Sequence, residues 1–144
     1  MTPETLFQIA NPIPLIGWAM LALSPLIPRL SQLVAGLIIP LMMAVLYTAL
    51  VLANFAGSEG DFTSLTGVQA LFANPFNLLA GWVHYLAFDL FVGAWIARTA
   101  RAEGIAHLFV LPCLFLTLML GPAGFLLFSA LRAIPAMHRT GATP

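Results

Sequence analysis

The amino-acid sequence predicts an all-α integral membrane protein: a four-helix transmembrane bundle with a short interfacial helix between its second and third spans. Two observations carry that expectation. The 144 residues are 61% hydrophobic and only 7% charged, with a mean hydropathy of +1.01. A water-soluble domain carries about 25% charged residues, so this chain cannot cover a water-facing surface. The apolar residues also fall into four stretches, each near the ~20 residues that a bilayer crossing needs. They are separated by clusters of proline, glycine and charge. The length suits a single domain.

Composition also excludes functions. The formal net charge is zero and all five basic residues counted with Lys are arginines. No basic patch offers itself to nucleic acid, and a retinal Schiff base is ruled out because it requires a lysine amine. Cys113 is the single cysteine, so no intrachain disulfide can form. No targeting segment is expected at the N-terminus, since Glu4 stands where a basic region would be and the chain turns apolar at Leu6. The expected location is a bacterial inner membrane, or a plastid membrane for a mature plant form.

The first span is expected over about residues 6–27, with Asn11-Pro12-Ile13-Pro14 as an entry turn. Pro28 and Arg29 make a tight turn into the second, about 31–55, where Pro40 removes one backbone donor and should kink the helix. Residues 56–75 form the one long polar stretch. Within it Phe62, Leu65, Val68, Leu71 and Phe72 recur at helical spacing, which predicts a helix lying in the interface. The third span, about 76–100, ends in Arg98 and Arg101, as suits a helix C-terminus at the headgroups. The fourth is expected over about 107–131, broken by Gly121-Pro122-Ala123-Gly124. A polar tail from Arg132 to Pro144 is expected to fray. Four spans would place both termini on one side. Arg29, Arg98 and Arg101 then stand inside against Arg132 and Arg139 outside, a narrow positive-inside margin.

The third stretch holds the chemistry. Gly81 to Arg98 is apolar enough to cross a bilayer, yet contains His84 and Asp89. A charged side chain near the midplane costs at least ~2.5 kcal/mol on insertion scales and usually marks function. At 100° per residue His84 and Asp89 point about 140° apart, whereas Tyr85, Asp89 and Gly93 share one stripe. A carboxyl group held in a bundle can deliver a proton, and an imidazole can accept or pass one. The structural alternative is that Asp89 takes a hydrogen bond from Tyr47 or Tyr85 and locks the bundle. A metal site from His84, His107 and Asp89 is conceivable by ligand type, but His107 should lie at the opposite face. His84 could equally serve as a sole heme ligand. The reading adopted expects neither metal nor cofactor.

The residues Gly81-Trp82-Val83-His84-Tyr85-Leu86-Ala87-Phe88-Asp89-Leu90-Phe91-Val92-Gly93, with Gly104-Ile105-Ala106-His107, Leu111-Pro112-Cys113 and Gly121-Pro122-Ala123-Gly124, resemble the small membrane proteins of the abscisic-acid-deficient-4 family. The likeness extends more loosely to Pro14-Leu15-Ile16-Gly17-Trp18 and covers most of residues 14–131. Plant members are associated with neoxanthin formation, so the resemblance implies a carotenoid substrate. It also implies a redox-neutral isomerisation, by epoxide opening or of cis–trans type. Chemistry would then give Asp89 and His84 the acid and base roles, with Tyr85 beside them. Trp82, Tyr47, Asn54, Asn77, Gly121 and Gly124 are the candidate substrate contacts. The expected pocket runs from Asp89 at the midplane to the interface beneath Phe62–Phe72, beside Gly121–Gly124 between spans 3 and 4, with the half near Arg98 and His107 closed. The alternative function is a non-catalytic subunit of a larger membrane complex that binds a carotenoid, chlorin or lipid. Expected partners are a carotenoid or other apolar pigment and membrane lipid, with no nucleic acid. A homo-oligomer or a larger complex fits either function.

Overall fold

A computed structural model describes residues 1–134 of the chain. The polar tail read from the sequence therefore lies outside the described residues beyond Ile134. Among the described residues there are helices and turns and no strands. Three helical stretches are long and apolar enough to cross a membrane: Pro3–Ala22, Pro28–Gly57 and Pro75–Ala102.

The first stretch is α1 (Pro3–Ala10) followed by α2 (Ile13–Ala22). Thr2 caps α1 by accepting the Thr5 N–H at 3.2 Å, and Pro12 separates the two helices. Asn11, left at that break, accepts a hydrogen bond from the Trp82 indole at 2.9 Å. Deeper in the bundle, large and small residues interlock. A Cβ at Gly17 would stand 2.7 Å from Leu90 Cδ2, and one at Gly93 would stand 2.6 Å from the Trp18 ring. Lipid is as apolar as the side chains, so close approach and dispersion, rather than water exclusion, hold such helices together.

The second stretch is α3 (Pro28–Leu33), a π-helical turn at Val34–Ile38, α4 (Ile39–Asn54) and a 3₁₀ turn at Phe55–Gly57. The kink expected at Pro40 takes the form of this π turn. Pro40 has no N–H to return to the preceding turn, and the helix widens just before it, with the Ile39 N–H reaching back to Val34 O. The turn presents Gly36 to Ala94 of the third membrane-length stretch, where a Cβ would be 3.3 Å from the alanine methyl. Gln32 then donates to Ala94 O at 3.0 Å.

The interfacial helix is α5 (Leu65–Ala73), capped by Ser64. Leu71 and Gly67 are buried, while Phe62 and Leu65 point outward. Phe72 lies on Gly81 of the next helix, 2.9 Å from where a Cβ would be. That next helix, α6 (Pro75–Ala102), is the axis of the molecule, and every other helix packs on it. Asn74 caps it by accepting the Phe76 N–H.

The fourth span is not a span. In its place α7 (His107–Leu120) and α8 (Pro122–Arg132) form a hairpin. Each is short of the ~20 residues that cross a bilayer. In one continuous helix Cys113 and Gly124 would be about 16 Å apart. Instead, a Cβ at Gly124 would overlap Cys113 O and Thr117 Oγ1, so α8 lies back along α7. Gly121 makes the reversal at φ 50° and ψ −98°. The returning helix lays Phe125 and Phe128 on Trp95, each with ring centroids 5.6 Å away. Arg132 pairs with Glu103 just beyond the end of α6, its Nε donating to Oε2 at 2.8 Å. Both groups are partly exposed, so the pair adds little to stability; its value is as a marker of where α8 ends.

The hairpin corrects the expected topology. The described C-terminal end lies opposite the N-terminus, and Arg29, Arg98, Arg101 and Arg132 all gather at one end of the bundle. Glu4, Glu59 and Asp61 stand at the other. Among the described residues the arginines thus all fall on one side, the asymmetry that the positive-inside rule reads. Single cysteines at Ser58, Ala102 and Ala133 in a Cys113→Ser background test the topology in sealed vesicles. Ala102 and Ala133 should label from one side and Ser58 from the other; a fourth span would put Ala133 with Ser58.

Candidate functional site

Because α6 touches every neighbour, its side chains reach different environments on different faces. His84 looks toward α4 and α5. Its ring stacks on Phe88 at 4.6 Å between centroids and meets Tyr47 of α4 at 5.4 Å. Both rings border a cleft of about 460 Å³ bounded by Val51 and Phe55 on one side and Ala80 and Gly81 on another, with Phe62, Leu71 and Phe72 overhead. The volume is within the ~300–1,000 Å³ of small-molecule sites, and an apolar lining with few polar groups is their usual make-up. Asn77 also borders it. Its amide nitrogen is used structurally, donating to Ser58 Oγ and to Leu71 O at 3.1 Å, which ties α5 and its loop over the cleft.

Asp89 lies elsewhere. Halfway along α6 its carboxylate abuts the tip of the α7–α8 hairpin, and a Cβ at Gly121 would stand 2.9 Å from Oδ1. Tyr85, one turn earlier, is its side-chain neighbour. Oδ2 is buried and has no hydrogen-bond partner among the described residues. The tip is also the N-terminus of α8, where unpaired N–H groups and the helix dipole favour negative charge. Asp89 thus stands at the one place where the hairpin turns its positive end into the bundle.

The structure therefore separates what the sequence suggested might converge. Tyr47, His84 and Asn77 share the cleft beneath α5, which opens between spans 2 and 3, not between spans 3 and 4. Asp89, Tyr85 and Gly121 meet at the hairpin tip, and none of the three lines the His84 cleft. Gly124 is consumed by α7–α8 packing. Trp82 stacks on Tyr85 at 5.3 Å and bonds Asn11, away from the cleft. Asn54 donates to Leu50 O within its own helix. His107, at the arginine end, donates from Nε2 to Ala22 O at 2.9 Å. The half near Arg98 and His107 was expected to be closed, yet it holds a second cleft of about 350 Å³. Among the described residues no group of three or more His, Cys, Asp or Glu is arranged to hold a metal.

Three membrane-length helices and a short apolar hairpin around a central polar-bearing helix define a small polytopic membrane protein. A family model described as ABA DEFICIENT 4-like matches residues 5–128, and the chain belongs to that family. Membership makes it a carotenoid- or xanthophyll-related membrane protein. Comparison with curated proteins and with solved structures gives no match.

Gly121 has two reasons to be glycine, its positive φ and the carboxylate against its α-carbon. Gly121→Ala should destabilise the detergent-solubilised protein by about 1–3 kcal/mol, read as a fall in unfolding temperature. Asp89→Asn, nearly isosteric but neutral, loses only the charge beside the helix start and should cost less than Gly121→Ala. Adding Asp89→Ala to Gly121→Ala should restore part of the loss by removing the overlap while leaving the backbone strain. No loss from Gly121→Ala alone would show that the tip is not held as described.

Proposed function

We propose that the protein binds the end group of a carotenoid in the cleft beneath α5 and rearranges it without net redox change, by epoxide opening or cis–trans isomerisation. The observation that carries this reading is His84 on the wall of a largely apolar cleft, flanked by Tyr47. Family membership supports the substrate class. An elongated polyene can remain in the hydrocarbon while its ring enters between α4, α5 and α6.

One imidazole suffices for a redox-neutral proton relocation. As a neutral base it takes a proton from carbon; as imidazolium it returns that proton to oxygen, and no electrons leave the substrate. In an epoxide opening the C–H electron pair forms the new double bond as the C–O bond breaks. The Tyr47 phenol, at the same wall, is suited to hydrogen-bond the oxygen that gains the proton. Asn77 keeps the roof in place, and Asp89 steadies the hairpin from outside the cleft.

Co-expression in a carotenoid-producing host, with pigment analysis, tests this. His84→Gln should lower conversion by about 10²–10⁴-fold while pigment still co-purifies, and Asp89→Asn should retain most of the conversion. Full conversion by His84→Gln would remove the proton-transfer role. Pigment that co-purifies unchanged with the wild type would favour a carotenoid-binding subunit instead.

A further inference from the structure

The second cleft lies at the arginine end of the bundle, where α2, α3, α6 and the start of α7 meet. Four features give it one electrostatic character. Arg98 and Arg101 border it, and no carboxylate does. Arg98 is steadied by Gln32 Oε1 at 3.3 Å, while Arg101 has no side-chain partner among the described residues. The 14-residue α7 begins at the cleft wall without a side-chain cap; Phe109 N–H is taken by Ala106 O, while those of His107 and Leu108 stay open at the positive end of the helix dipole. Ser24 also borders the cleft. The residue is only 8% exposed, and its hydroxyl makes no hydrogen bond among the described residues, leaving a free donor at the cleft wall.

Two guanidinium groups, an open helix start and a free hydroxyl are the donors that a phosphate oxygen cluster requires. Nearby Arg132 does not compete for that role, because it is engaged by Glu103 and lies over Trp95 at 5.7 Å. The depth of the cleft decides between sources of phosphate. It sits where α6 ends at the headgroups, and Ala97, Ile105 and Val110 supply an apolar floor along which an acyl chain can run. We propose that this cleft is a binding site for the phosphate headgroup of an anionic phospholipid of the cytoplasmic leaflet. It is independent of the His84 cleft and of the reaction proposed there.

Native mass spectrometry of the full chain in a maltoside detergent tests the site. Phosphatidylglycerol should give a one-to-one adduct, and phosphatidylcholine, whose phosphate is masked by a cation, should bind far more weakly. Arg98→Gln combined with Arg101→Gln should weaken phosphatidylglycerol binding by on the order of thirtyfold. Because Arg98 also holds Gln32, Arg101→Gln alone serves as the variant without a structural bond to lose, and should give an intermediate loss. Equal binding of the two lipids by the wild type, or unchanged phosphatidylglycerol binding by Arg101→Gln and the double variant, would overturn the proposal. Inorganic phosphate binding as tightly as phosphatidylglycerol would overturn the lipid as its source.

Discussion

Inside a bilayer a backbone that stops being helical must find partners at once, because no water is there to supply them. That constraint is concentrated at Gly121. The chain reverses there, halfway into the membrane, and exposes the start of α8 with only Gly124 N–H returning to Gly121 O across the turn. The arrangement survives because the reversal is placed against α6 at Asp89. A carboxylate beside a helix N-terminus, a glycine that lets it approach and a second glycine that lets α8 lie on α7 are three parts of one solution. The rest of the bundle follows, since the short hairpin fills the place of a full span and leaves α6 with neighbours on all sides.

This view changes the meaning of a charged residue in an apolar helix. Asp89 is costly to bury, and a catalytic role is the ready explanation. The hairpin supplies another, in which its charge complements a dipole. His84 has no such engagement with a helix end: its ring packs on Phe88 and Tyr47 and borders the cleft. That contrast is why the proposed proton transfer is placed on the histidine and the aspartate is read as a support.

Much of the fold was legible from local chemistry. Apolar length marked three spans, Pro40 marked the irregular turn in the second, and helical spacing from Phe62 to Phe72 marked α5. A cleft beneath α5 was expected too, but one reaching Asp89 between spans 3 and 4; it lies between spans 2 and 3, and Asp89 is not on its wall. The hairpin was not legible, because the Gly121–Gly124 segment reads alike as a kink or a reversal. Hydropathy is the same in either case, and only the packing of Gly124 on Thr117 and Cys113 decides. Once that single angle is misjudged, Arg132 moves to the wrong end and the arginine asymmetry is halved. The pairing of Asn11 with Trp82 was equally out of reach, since nothing in either residue's neighbourhood names its partner.

The π turn at Val34–Ile38 has a geometric consequence of its own. Such a turn accommodates one residue more than a regular helix, and one residue of helix is a rotation of about 100°. The wider turn absorbs that extra residue, so the faces on either side of it keep the phase they would have without it. Gln32 in one half meets Ala94 and Arg98, and Tyr47 in the other meets His84. A chain shorter by one residue there would be a straighter rod with the same two faces on α6. The bulge is how a single helix carries an additional residue and still borders both clefts, one at each end of the bundle.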